Sequence, residues 1–130
     1  MHTVHIVIEG APQVWSRPRA CIRGGKVAMF DPKTAERKKL GISLKQHFPK
    51  PLEGPIKLEL CFYFAIKDKK KWGEYKTSRG DLDNLVKFPL DALNKIAYAD
   101  DSQVCVIMAV KKWDRSDYTK IRISRLNDSD

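Results

Sequence analysis

The sequence predicts an α+β domain: a mixed β-sheet carrying two main helices. Two runs, Thr3 to Glu9 and Pro55 to Ala65, alternate apolar and polar residues with the period of a half-buried strand. Two other stretches, one after Asp31-Pro32 and one after Asp83, carry the start signals or apolar spacing of helices. The 130 residues show no internal repeat and no low-complexity linker. They suffice to bury one core, so residues 1–130 form one domain.

The elements follow in order. In Thr3 to Glu9, Val4, Ile6 and Ile8 fall on one face of a first strand. Ala20 to Phe30 contains Arg23-Gly24-Gly25-Lys26, a Gly-Gly turn between β-prone arms, which predicts a hairpin. Asp31 followed by Pro32 supplies a capping residue and then a proline suited to the first helical position. That helix runs to about Phe48 and is closed by Pro49 and Pro51. Ile56, Leu58, Leu60, Phe62 and Phe64 define the clearest strand. Leu82, Leu85, Val86, Leu93, Ile96 and Ala97 recur at helical spacing after it. Val104 to Val110 and Lys120 to Leu126 predict two more strands, separated by a turn around Asp114-Arg115-Ser116-Asp117. Such a sheet needs long connections as well as hairpins, so it is expected to be mixed.

Composition narrows the function classes. A hydrophobic fraction of 42% is that of a folded chain. No apolar run approaches the roughly 20 residues needed to cross a bilayer, and the amino-terminal residues lack a signal-peptide pattern. A soluble cytoplasmic protein of bacterial-host, prophage or phage origin is expected, with no membrane partner. Cys21, Cys61 and Cys105 form no CxxC pair, which argues against a zinc site or a disulfide framework. Cys61 and Cys105, inside apolar runs, are expected to be small buried hydrophobes.

Twenty-five Lys and Arg against 16 Asp and Glu give a formal net charge of +9, an electrostatic footprint suited to nucleic acid. The charge concentrates between Lys67 and Arg79, where Lys69, Lys70, Lys71, Lys76 and Arg79 interleave with Trp72 and Tyr75. Aromatics in a basic stretch suit backbone contact with base stacking. A solvated mobile loop, ordered when a polyanion arrives, is compatible with that role.

The acidic residues point to chemistry. Asp81 and Asp83 straddle the start of the second helix, and residues two apart in an extended approach project to one side. Asp100 and Asp101 follow the helix's far end. Gathered carboxylates repel one another, and a helix C-terminus disfavours negative charge; a hard divalent cation resolves both penalties. Mg²⁺ takes oxygen ligands and joins carboxylates to phosphates, so metal-assisted phosphodiester hydrolysis fits a basic protein. Capping alone explains one Asp at a helix start; two at this spacing, plus an Asp-Asp pair, favour the cation, and both roles can coexist. One geometric condition attaches. The ends of such a helix stand about 20 Å apart at ~1.5 Å per residue, so the following chain must fold back, helped by any kink at Pro89.

Asp83, Lys87 and Asp91 lie four apart and form one stripe along the helix. A surface ladder of this kind carries no function by itself. Lys87, one turn inside the acidic cluster, is better read as a contact to the scissile phosphate. Asp91 would hold Lys87 or support a ligand, and Asn84 would orient a ligand or a water.

The run Asp81-Leu82-Asp83-Asn84-Leu85-Val86-Lys87, then Leu90-Asp91-Ala92-Leu93-Asn94, then Ala99-Asp100-Asp101-Ser102-Gln103-Val104 resembles the RusA family of Holliday-junction resolvases. Ser16-Arg17-Pro18-Arg19 and Phe30-Asp31-Pro32 resemble that family's arginine-rich segment and the short motif after its glycine turn. The resemblance implies a RusA-like fold and a homodimer that nicks two opposed strands of a four-way or otherwise branched DNA. It implies Mg²⁺, with Mn²⁺ as a substitute, and ligatable 5′-phosphate and 3′-hydroxyl ends. Catalytic Asp81, Asp83, Asp101 and Lys87 are implied, with Asp100 beside them at the metal. Arg17 and Arg19 join the lysines of 67–79 as expected DNA contacts. The rival readings are a nuclease for other branched DNA and a non-catalytic nucleic-acid-binding module.

Overall fold

A computed structural model of the chain describes residues 3–14, 19–23, 26–30 and 34–126. Six strands and two α-helices follow one another as β1 (Thr3–Glu9), β2 (Arg19–Arg23), β3 (Lys26–Phe30), α1 (Thr34–Lys45), β4 (Ile56–Ala65), α2 (Leu82–Leu93), β5 (Val104–Asp114) and β6 (Tyr118–Arg125). β2 and β3 pair antiparallel as the expected hairpin. Its Gly24-Gly25 turn, Arg17 and the Asp31-Pro32 cap lie outside the described residues.

The other four strands form one sheet in the order β1-β6-β4-β5. β4 pairs antiparallel with β6 and parallel with β5, so the sheet is mixed as expected. A parallel neighbour requires a crossover, and the segment containing α2 supplies it. The alternation of β4 explains its central place. Ile56, Leu58, Leu60 and Phe62 are no more than 1% exposed on the inner face, and each contributes roughly 1.5–3 kcal/mol by leaving water. The outer face is polar, with Arg122 of β6 meeting Glu59 at 3.4 Å.

Both helices cover the inner face. Leu44 and Phe48 from the α1 end, and Leu85, Ala92 and Leu93 from α2, join Ile6, Ile121 and Ile123 in one core. α1 touches the turn after α2 closely at Gly41, where an added Cβ would stand 3.1 Å from Ile96 Cδ1.

The structure changes three expectations. α2 runs continuously through the buried Pro89 but stops at Leu93, and Lys95 (φ 66°) reverses the chain. Ala97 and Tyr98 still reach the core, from the turn rather than from the helix. β5 extends past Val110 to Asp114. Cys105 is exposed rather than buried, because it sits where the β4–β5 register shifts at the start of β5.

Candidate active site

The basic stretch from 67 to 79 is tied down. Asp68 caps a short 3₁₀ turn, Lys69–Lys71, by accepting from the Lys70 N–H. The Trp72 indole donates to the Ile66 carbonyl at 2.8 Å. Backbone bonds from Gly73 to Trp113, Trp113 to Glu74 and Lys76 to Lys111 then lay residues 73–76 along the outer edge of β5. The expected mobile loop is thus an ordered flap. Lys69, Lys70, Lys71 and Arg79 are exposed on it. Tyr75 is 68% exposed, with Lys112 Nζ 5.0 Å from its ring.

Lys76 departs from its expected place on the surface. It is 8% exposed, its Nζ lying 4.7 Å from the Phe64 ring centre and 5.2 Å from that of Trp113. The ammonium donates to the Arg79 carbonyl. Burial and the nearby Lys111 charge pull its pKa below the usual lysine range. An ammonium committed in this way is withdrawn from phosphate contact.

Lys111 works on the same segment. Its Nζ donates to the carbonyls of Ser78 and Gly80, each at 2.8 Å. Two lysines therefore hold three successive carbonyls immediately before Asp81. Gly80 takes φ 102°, a conformation costly to any residue with a Cβ, and turns the chain into α2.

Asp81 occupies the N-cap of α2 with extended backbone, and its carbonyl accepts from Asn84 and Leu85. Its carboxylate makes no capping bond. Asp83 lies in the first turn, where the helix dipole favours negative charge. Asp83, Lys87 and Asp91 follow at intervals of one turn and are all exposed, while Asn84 is half-buried. Leu85, fully buried, fixes the rotation of this helix end.

The far end is built differently. After Lys95 the chain turns back, and the buried Tyr98 donates its hydroxyl to the Leu90 carbonyl at 3.0 Å. Burial, and then the charges of Asp101 and Asp91, push the ionisation of that hydroxyl far up. Asp100 is spent on structure: its carboxylate caps the turn at the Ser102 N–H, and bonds from the Ser102 side chain and then from that N–H hold its pKa low. Gln103 completes a capping box and uses its whole amide. It accepts from the N–H groups of Ala99 and Asp100, and donates to the carbonyls of Leu52 and Gly54 at 3.0 Å.

The geometric condition on the acidic pairs is met only in part. The chain does fold back along α2, where the Tyr98 hydroxyl meets the Leu90 carbonyl. Asp83 lies eight residues before Asp91, about 12 Å along the axis at ~1.5 Å per residue. Among the described residues, no three His, Cys, Asp or Glu side chains stand close enough to share a cation.

Lys111 and Gln103 were not among the expected site residues. Lys111 had a signal: it interrupts an inward-facing series, Ile107-Ala109-Lys111-Trp113, whose members pair with inner-face residues of β4. Arg19 opens β2.

Residues 9–124 match the family described as endodeoxyribonuclease RusA. The chain is 37% identical over 106 residues to the crossover junction endodeoxyribonuclease rusA of Lactococcus phage r1t, covering 78% of this chain and 81% of that protein. It is 31% identical to the uncharacterized protein YqaN of Bacillus subtilis (strain 168), covering 98% and 99% of the two chains. No helix among the described residues is long and apolar enough to cross a membrane.

Proposed function

Because the chain belongs to the RusA family of endodeoxyribonucleases, we propose that it resolves four-way DNA junctions by Mg²⁺-dependent phosphodiester hydrolysis, as a homodimer that nicks two opposed strands. One observation carries the metal reading. Asp81 holds the N-cap position of α2, where a carboxylate ordinarily accepts a backbone N–H, yet it makes no such bond. A charged group kept beside Asp83 and out of structural duty suits a ligand.

The donors are carboxylates, which as a set fit Mg²⁺ better than a soft metal. Asp81 and Asp83 would hold the ion, with Asp101 as the third ligand from the other end of α2. When bound, Mg²⁺ would lower the pKa of water and neutralise charge on the phosphate. Lys87, exposed one turn along α2 from Asp83, would contact the scissile phosphate and stabilise developing negative charge. The exposed Lys69, Lys70, Lys71 and Arg79 would hold the DNA backbone, and Tyr75 offers a stacking face. Asp100 would support the site indirectly, by shaping the turn that carries Asp101.

The test is a cleavage panel: synthetic four-way junction, fork and linear duplex, with Mg²⁺ or chelator, using the native protein and Asp83→Asn. Paired nicks in the junction with Mg²⁺ only are expected, with junction binding kept and cleavage lost in Asp83→Asn. Equal cutting of linear duplex would exclude junction selectivity, and cleavage by Asp83→Asn would remove that residue from the catalytic set.

A further inference from the structure

α1 and the turn that follows α2 approach each other closely at Gly41 and Ile96. Beside that contact a groove of about 630 Å³ opens between them. Its apolar lining is Ile42, Phe48, Pro49, Pro51, Ala92 and Ile96, and Lys38, Lys45 and Lys95 stand around it. A second groove adjoins the first through the shared Phe48, Pro49 and Pro51, and adds Lys50 and Arg125. Against these five cations the two grooves set the carboxylates of Asp91 and Glu53. The chemistry is apolar within and positive at the rim.

Two residues of the lining are poor choices for the fold alone. Ile42 is 78% exposed, the most exposed large apolar side chain among the described residues. It stands between Lys38 and Lys45 on one stripe of α1, four residues after the first and three before the second. Lys95 holds φ 66°, the only non-glycine among the described residues in the left-handed region. Glycine or asparagine meets less strain there. A lysine at that position strains the backbone and sets an ammonium beside the groove.

Lysines around an apolar groove suit an occupant that is both acidic and apolar. Duplex DNA is acidic, but it presents sugar and phosphate and keeps its bases inside. An unstacked base would need an aromatic face, and the one aromatic ring of the first groove, Phe48, is only 4% exposed. A peptide meets both requirements. Lys38, Ile42 and Lys45 recur at the helical period, so a helix lying along α1 meets them with acidic, apolar and acidic side chains at the same spacing.

We propose that the groove between α1 and the turn after α2 is a docking site for an acidic amphipathic helix of a partner protein. Its apolar face packs on Ile42, Pro49 and Ile96, and its carboxylates meet Lys38, Lys45 and Lys95. The groove takes Asp91 and Ala92, from the last turn of α2, into its wall, whereas Asp81 and Asp83 lie at the first turn. A docked helix therefore leaves that first turn clear. Docking of this kind raises the effective concentration of the protein beside its partner without altering its chemistry.

The test uses full-length protein and fluorescein-labelled peptides of about 18 residues, roughly five helical turns, built from Leu, Ala and Glu. One places Leu on one face and Glu on the other, one scrambles that composition, and one replaces Glu by Lys. Fluorescence anisotropy is expected to show the acidic amphipathic peptide binding about tenfold tighter than its scramble, with no binding of the Lys form. Ile42→Glu and Lys95→Gly should each weaken that binding about fivefold or more. The first puts a good helix former at an exposed helical position, and the second puts glycine where φ favours it. Both are expected to keep native circular dichroism and native junction cleavage. Equal binding of the acidic peptide and its scramble would overturn the site, and so would an unchanged affinity in Ile42→Glu. Displacement of the bound peptide by an equally charged oligothymidylate would assign the groove to single-stranded DNA instead. Loss of cleavage in Lys95→Gly would move that lysine into the active site and overturn the separation of the two.

Discussion

Lys111 Nζ lies 2.8 Å from the carbonyl oxygen of Gly80, so a lysine near the end of β5 holds the residue that introduces Asp81. Removing the ammonium leaves the Ser78 and Gly80 carbonyls without that donor. Lys111→Met is expected to lower stability by about 1.5–3 kcal/mol, the range for hydrogen bonds from a charged group. It should lower single-turnover cleavage at least tenfold while junction affinity changes little, and Lys111→Arg should recover part of the rate. Equal losses in binding and cleavage would place Lys111 on the DNA instead.

Lys76 and the Lys69–Lys71 turn make opposite predictions although they share one basic stretch. Changing Lys69, Lys70 and Lys71 to Ala removes exposed charges, so junction binding should weaken and its dependence on salt should flatten by up to about three units of slope. Lys76→Met removes a buried ammonium packed on Phe64 and Trp113. It should leave the salt slope unchanged and act through the order of the 78–80 segment. Titrating binding against salt for both variants separates the two roles.

Why one half of this was legible in the sequence and the other was not follows from where each interaction closes. The strand at Ile56–Ala65 and the start of α2 are written in local alternation and spacing, and both appear where expected. The Lys67–Arg79 stretch looked mobile because its anchors are remote: Ile66 receives Trp72, and Lys111 and Trp113 receive the backbone of 73–76. Lys76 looked solvated because its aromatic cover comes from β4 and β5. How far the chain reverses after Lys95, at φ 66°, is likewise stated by no local pattern.

Gln103 fixes the turn that carries Asp101 through four hydrogen bonds, two accepted and two donated. Gln103→Leu keeps the volume and deletes all four. A stability loss of about 1–3 kcal/mol is expected, because groups satisfied by the amide lose their partners. Cleavage should fall further than stability alone explains, since Asp101 loses its register. Gln103→Glu, which retains the acceptor but not the two donors, should fall between. Thermal unfolding beside single-turnover cleavage at a temperature where all three are folded checks the ordering.

The turn between β5 and β6 gives a pH signature remote from the acidic site. The Tyr118 hydroxyl donates to the Asp114 carboxylate at 2.5 Å, and the Tyr118 ring stacks on Tyr63 at 4.4 Å. That hydroxyl, and then the Arg115 N–H, hold Asp114 below the usual carboxylate range. A carboxyl whose folded pKa lies below its unfolded one stabilises the fold above the unfolded value, near 4, and the contribution is lost as pH falls through the folded value. Tyr118→Phe keeps the stack and removes the donor. The melting temperature of this variant should therefore lie below that of the native protein at pH 7, and the gap should narrow steadily as pH falls from about 5 toward 2. A gap that stays constant over that range would mean that the hydroxyl acts through packing rather than through the Asp114 charge.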